Sequence, residues 1–335
     1  MAERGTLHVT NGDCTVETLE ATGLGGDVIG WRDALEEGPA PKVGAGELRA
    51  VRARFLADCG WGAAAELEEE LRMRDETLRD ALEHRHVVLW FEHDLCDQLQ
   101  LLQILAFADE VGYEPTRLEL IVIGAFEGRP EFKGLGELDV EELASLSPSR
   151  MPVTAAQTQL ARRAWQAFRD ADPRAIETLL AGDTGALPFL APALRRLLEE
   201  LPDTRTGLGR SEHQLLAPLL DGPRTPVELF HAAQAAEEAP FDADASVWRR
   251  LVELGAGRDP LVTAVSGDPL PTPPPRGDQR TFTSTAVALT ETGRRVLEGA
   301  IDRAVAGRDR WLGGVHLTPE SRFRWDADAG RVAMA

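Results

Sequence analysis

The residues best suited to chemistry in this chain fall in three polar clusters. The richest is Trp90-Phe91-Glu92-His93-Asp94-Leu95-Cys96-Asp97-Gln98, where carboxylates and an imidazole follow an apolar run. An imidazole beside a carboxylate can move a proton, and grouped carboxylates can hold a divalent cation. On this reading His93 is the general base, and Glu92 or Asp94 orients it or holds an ion. Acids in the first turn of a helix also stabilise the helix dipole, which is the competing explanation for Asp94 and Asp97. A divalent ion is the one cofactor the cluster suggests, and its identity is open. The HxxxH or paired-cysteine spacing of a zinc site is missing.

The other two clusters offer ligand contacts. In His8-Val9-Thr10-Asn11-Gly12-Asp13, Asn11 can present an amide, Gly12 permits close backbone approach, and Asp13 can receive a hydroxyl or an ion. The alternatives are a helix cap at Asp13 and a core histidine at His8. In Trp31-Arg32-Asp33, Trp31 can stack a base or wall a pocket, Asp33 can take a ribose-like diol or a metal, and Arg32 can pair with phosphate. Core packing of Trp31 and ion pairing of Arg32 compete with those roles. Arg150, beside a proline-flanked loop, can close over an anionic substrate or bridge subdomains. No GxGxxG follows the first strand and no lysine-bearing phosphate loop occurs, which disfavours the familiar nicotinamide and ATP modes.

Stepping from these residues to their supports, the first 125 residues alternate strands with helices. HVVLWF (86–91) and LELIVI (118–123) are apolar on both faces, as strands of a parallel sheet covered by helices must be. The expected fold class is α/β, an open, mainly parallel Rossmann-like sheet over residues 1–125. In such sheets ligands bind outside the carboxyl ends of the strands, where all three clusters fall. A helical subdomain or connector over 126–206 follows, with a capping box at Thr154 and Gln157. Residues 207–300 read as three helices and a two-stranded hairpin, the winged helix-turn-helix order. A tail over 301–335, with Trp311 and Trp325, is expected to dock on the core.

Composition narrows the classes. The chain has 335 residues, 43% apolar and 27% charged, with a net charge of −20. Residues 1–206 hold 38 acids against 21 bases, and residues 207–335 hold 18 against 15. So acidic a chain repels polyanions at long range, so DNA is a disfavoured partner and anionic membranes poor ones. The third helix of the winged-helix region begins with Asp242 and Asp244; Arg276, Arg280, Arg294, Arg295, Arg303, Arg308 and Arg310 are its basic groups. No apolar run is long enough for a membrane span. The start lacks an apolar secretory core, and Cys14, Cys59 and Cys96 are too few and too scattered for a disulfide framework, so a cytoplasmic location is expected.

With HVTNGD, WRDALEEGP and LWFEHDLCDQLQ in that order, the chain resembles a bacterial family known as domain-of-unknown-function family 1835. The resemblance rests on His8, Asn11, Gly12, Asp13, Trp31, Asp33, Gly38, Pro39, Glu92, His93, Asp94, Asp97 and Gln98, and covers roughly residues 5–125. DRWLGG at 309–314 resembles the rear half of longer members. It implies the domain boundary and carries no catalytic roles. The expected function is that of an enzyme, or an enzyme-derived domain, that acts on or binds a small phosphorylated or nucleoside-like ligand, the winged helix serving docking or homodimerisation. The alternatives are a metabolite-sensing transcription regulator and a noncatalytic protein-interaction module.

Overall fold

A computed structural model of the protein describes residues 5–275, 277–303 and 309–335. Arg276 and Arg308 therefore lie outside the described residues. The chain divides into two compact units, one of Met1–Asp58, Gly62–Arg195 and Gly313–Val315, the other of Cys59–Trp61, Arg196–Leu312 and His316–Ala335.

The first unit runs β1 (Leu7–Thr10), α1 (Asp13–Ala21), β2 (Asp27–Gly30), β3 (Gly38–Pro39), α2 (Ala45–Asp58), α3 (Ala64–His84), β4 (Val87–Glu92), α4 (Leu95–Val111), β5 (Leu118–Ile123), α5 (Val140–Ser145), β6 (Met151–Pro152), α6 (Ala155–Phe168) and α7 (Arg174–Leu180). The helix α8 (Leu190–Leu198) crosses the division. Its main sheet has the order β2-β1-β4-β5-β6. The first four strands are parallel, with Leu7 opposite both Asp27 and Val87, and Val87 opposite Leu118. The expected α/β class with a mainly parallel sheet is present. The antiparallel β6, with Glu119 opposite Pro152, falls where the sequence reads as a proline-broken loop. Pro152 is tolerated there because an edge strand need not donate on both sides.

Period-two geometry explains why β4 is apolar throughout. Val88 and Trp90 join Leu19, Ile121, Leu135, Leu138 and Leu143 in one core. Val87, Leu89 and Phe91 alternate to the other face, and α4 packs against β4. Each such buried side chain contributes roughly 1.5–3 kcal/mol. Helix α4 starts where Asp94 accepts a hydrogen bond from the Asp97 amide at 2.9 Å, and stops at Gly112, whose φ of 83° suits glycine. The capping box of Thr154 and Gln157 opens α6 as expected.

The second unit contains α9 (Arg210–Leu216), α10 (Pro226–Ala235), α11 (Asp244–Leu254), β7 (Val262–Ala264), α12 (Arg280–Thr283), β8 (Val287–Leu289), α13 (Glu291–Leu297), all of β9 (Arg310–Gly313) but Gly313, all of β10 (Val315–Leu317) but Val315, β11 (Phe323–Asp326) and β12 (Arg331–Met334). Leu215, Leu229, Trp248, Leu251, Val262 and Val287 share one core, and β7 pairs antiparallel with β8. Phe282 lies in the short helix α12, where it fills the core against Trp248 at 5.5 Å. At the start of α9 the Ser211 hydroxyl donates to Glu200 and accepts from Arg196. The tail forms a hairpin of β11 and β12 with Trp325 opposite Val332, and Trp325 exchanges backbone hydrogen bonds with Pro202 and Thr204. No helix among the described residues is long and apolar enough to cross a membrane.

Candidate functional site

Strand order reverses between β1 and β4: the chain leaves β1 for β2 on one side, then returns to β4 on the other. The carboxyl ends of those two strands therefore border the topological switch point, where open α/β sheets hold ligands. Asn11 follows β1 and Glu92 ends β4. The two ends are joined by side chains. Asn11 Nδ2 donates to Asp97 Oδ2 at 2.6 Å, and Asp97 Oδ1 accepts from the Glu92 amide at 2.9 Å. Gln98 donates to the Glu92 carbonyl at 2.6 Å. Gln100 donates to Asn11 Oδ1 at 3.1 Å and to the Asp33 carbonyl at 2.9 Å, which brings the end of β2 into the same network.

Glu92, Asp94 and Asp97 each place a carboxylate oxygen within 4.8 Å of the other two. Asp94 and Asp97 are buried, while Glu92 is half-buried. Among the described residues no lysine or arginine pairs with any of them. Burial, with mutual repulsion from Asp97 and Asp94, pushes Glu92 well above the usual carboxylate range; burial and Asp97 do the same to Asp94. Burial raises Asp97 to about 6, against the lowering effect of its bonds to Asn11 and the Glu92 amide. The arrangement can retain protons at neutral pH or exchange them for a hard cation. Three oxygens at this separation fit the first shell of a six-coordinate divalent ion.

The Leu135 amide also donates to the Glu92 carboxylate, and a side chain at Gly134 would collide with that carboxylate. The loop after β5 thus closes over Glu92, and a side chain at Gly134 would require that carboxylate to move. Among residues that sequence reasoning left out, Leu135 gives no signal, since its amide acts rather than its side chain. Gln100 was legible: it lies four residues from Cys96 on the helix, where a polar residue interrupts an apolar face.

The remaining candidates are placed differently. The His93 ring stacks on Phe132 at 6.3 Å and meets Phe189 edge-on at 5.9 Å. Its Nδ1 is buried without a partner, and burial lowers its pKa. Among the described residues neither Glu92 nor Asp94 bonds that ring, so the orienting role expected for them is corrected: one oxygen of each accepts from a backbone amide, of Leu135 and of Asp97 respectively. Gly12, at φ 73°, precedes α1. Asp13 is exposed and pairs with Arg32 at 2.6 Å, so Arg32 takes an acid rather than a phosphate. Trp31 is buried and donates from its indole to Gln103 at 2.8 Å.

Asp33 is sealed by Arg52, whose Nε and Nη2 both reach Oδ1, at 3.0 and 2.7 Å. Arg52 also donates to the carbonyls of Ala34, Glu37 and Pro39, and so shapes the whole loop after β2. Arg150 pairs with Glu119 at 3.2 Å. Glu119 is at the amino end of β5, so Arg150 stands at the opposite edge of the sheet and does not close over the cluster. His8 is a core histidine: Trp90 donates to Nδ1 at 3.0 Å and Nε2 meets the Gly25 carbonyl at 3.0 Å, while burial keeps it neutral. Set beside known proteins, the chain matches no family model and no curated sequence.

Proposed function

We propose that the first unit binds a small phosphorylated or nucleoside-like ligand through a divalent cation held by Glu92, Asp94 and Asp97. One observation carries this reading: three carboxylates, without a basic partner among the described residues, converge with Asn11 at the switch point of the sheet. A cation there relieves their mutual repulsion and offers its remaining positions to phosphate or hydroxyl oxygens. His93, neutral and unpaired at Nδ1, supplies a proton acceptor beside the cluster if the ligand is also transformed by hydrolysis or group transfer. Calorimetric titration of the full chain with Mn²⁺ tests the proposal. Wild type is expected to bind one ion per chain and Asp97→Asn to lose at least tenfold in affinity; equal binding by both proteins would refute it.

The motif order HVTNGD, WRDALEEGP and LWFEHDLCDQLQ supports kinship with domain-of-unknown-function family 1835. In the second unit, three helices followed by the β7–β8 pair support a winged-helix reading, with a protein-contact role. DNA contact is disfavoured because the exposed start of α11 presents Ala243, Asp244 and Ala245. Arg250 on the same helix is buried against Asp242 at 2.6 Å, and Arg249 pairs with Glu253.

A further inference from the structure

We propose that the first unit has a second ligand site, an arginine-rich cavity that binds a small organic anion bearing a carboxylate or phosphate together with a hydroxyl or amino group. The cavity measures about 390 Å³, within the range of small-molecule pockets, and its walls include Trp31, Asp33, Arg74, Arg162, Trp165 and Arg169. It follows α4 from Gln103 to Glu110, so it lies roughly 10 Å or more along that helix from Asp97. Trp31 and Asp33, which by sequence are ligand contacts, serve this cavity rather than the carboxylate cluster.

Two residues of its wall each carry a buried polar atom that makes no hydrogen bond among the described residues. The Arg74 side chain is 8% exposed, and its guanidinium lies over the Trp31 ring at 3.8 Å from the centroid. Nη2 donates to Asp75 at 2.9 Å, yet Nη1 donates to nothing. The Asp33 side chain is 1% exposed; Oδ1 takes both contacts from Arg52, and Oδ2 accepts nothing. A buried donor and a buried acceptor left unmade each cost stability. A ligand that offers an acceptor to Arg74 and a donor to Asp33 removes both costs at once. These two atoms therefore dictate the chemistry: an anionic oxygen for one, a hydroxyl or amino hydrogen for the other.

Charge points the same way. The walls hold five arginines against three acids, in a chain whose net charge is −20. Arg169 bonds the carbonyls of Pro41 and Val43, makes no carboxylate ion pair among the described residues, and meets the Trp165 ring at 5.4 Å. Arg162, at 56% exposure, stands at the rim with a 3.3 Å contact to Asp109 that an incoming anion can replace.

The full chain is titrated with citrate and, separately, with adenosine monophosphate, followed by tryptophan fluorescence and calorimetry. At least one probe is expected to bind, which distinguishes a carboxylate from a phosphate preference. Arg74→Met should weaken that binding about tenfold or more, the effect of one charge-assisted hydrogen bond. Arg162→Glu, at the rim and outside the core, should weaken it as well, while Asp97→Asn leaves it unchanged and so separates this site from the cation site. Failure of both probes to bind, wild-type affinity in both arginine variants, or loss of binding in Asp97→Asn would overturn the proposal.

Discussion

At Asp97 two effects oppose each other: burial favours the protonated acid, and the bonds from Asn11 and the Glu92 amide favour the anion. Burial wins, and the folded pKa of about 6 stands above the ordinary 3.8. Linkage fixes the sign. A raised carboxylate contributes stability that is complete below the unfolded value and is lost as pH rises through the folded one. Glu92 and Asp94 shift in the same direction. In a chelator, the first unit is therefore expected to melt at lower temperature at pH 8 than at pH 5, and Asp97→Asn should flatten that slope; circular dichroism melts read both. Asp33 is buried against the Arg52 guanidinium. Arg52→Met leaves that carboxylate buried alone and should cost about 3–5 kcal/mol in urea unfolding. Residue type made Asp33 a fair ligand candidate in the sequence. That an arginine takes one of its oxygens depends on a partner 19 residues away, which local spacing does not specify.

At the level of elements, the strands and helices that position the cluster were legible because their signals are local. The apolar run of β4, the Asp94 cap and the Thr154–Gln157 box each act within a few residues. Thr154→Ala should accordingly cost α6 about 1 kcal/mol, measured by chemical denaturation, because the Gln157 amide loses the hydroxyl that accepts from it. Strand β6 was not legible, since two residues at a sheet edge carry no periodicity. The arginines of the cavity had a signal that sequence reading passed over. Arg52 falls in the buried stripe of Leu48, Ala53 and Leu56 on α2, and Arg74 falls in the stripe of Leu67, Leu71 and Leu78 on α3. An arginine inside an apolar stripe announces a buried ion pair or a lined cavity. The distant order of β1 and β4 was equally hidden, because strand order is a tertiary property.

For the molecule as a whole, the two units answer acid in opposite ways. In the second unit burial alone would raise Glu200, but Arg196, Arg250 and Arg310 with the Ser211 hydroxyl hold it at about 2. A depressed carboxylate contributes stability above its unfolded value of 4.5 that is lost as pH falls through about 2. Glu200→Gln should therefore reduce the acid sensitivity of the second unit between those values, read by its tryptophan fluorescence. The exposed acidic start of α11 and the net charge of −20 also predict no DNA binding by the full chain at low ionic strength; a salt-dependent shift of a duplex would contradict that. The cation site joins these scales, since an ion must compete with protons for Glu92, Asp94 and Asp97. Its most direct test is the rise in melting temperature of the first unit with Mn²⁺ at about a hundredfold its dissociation constant. At pH 8 a rise of about 5–10 °C is expected, which shrinks at pH 5 and disappears in Asp97→Asn. An equal rise at both pH values, or none at pH 8, would contradict it.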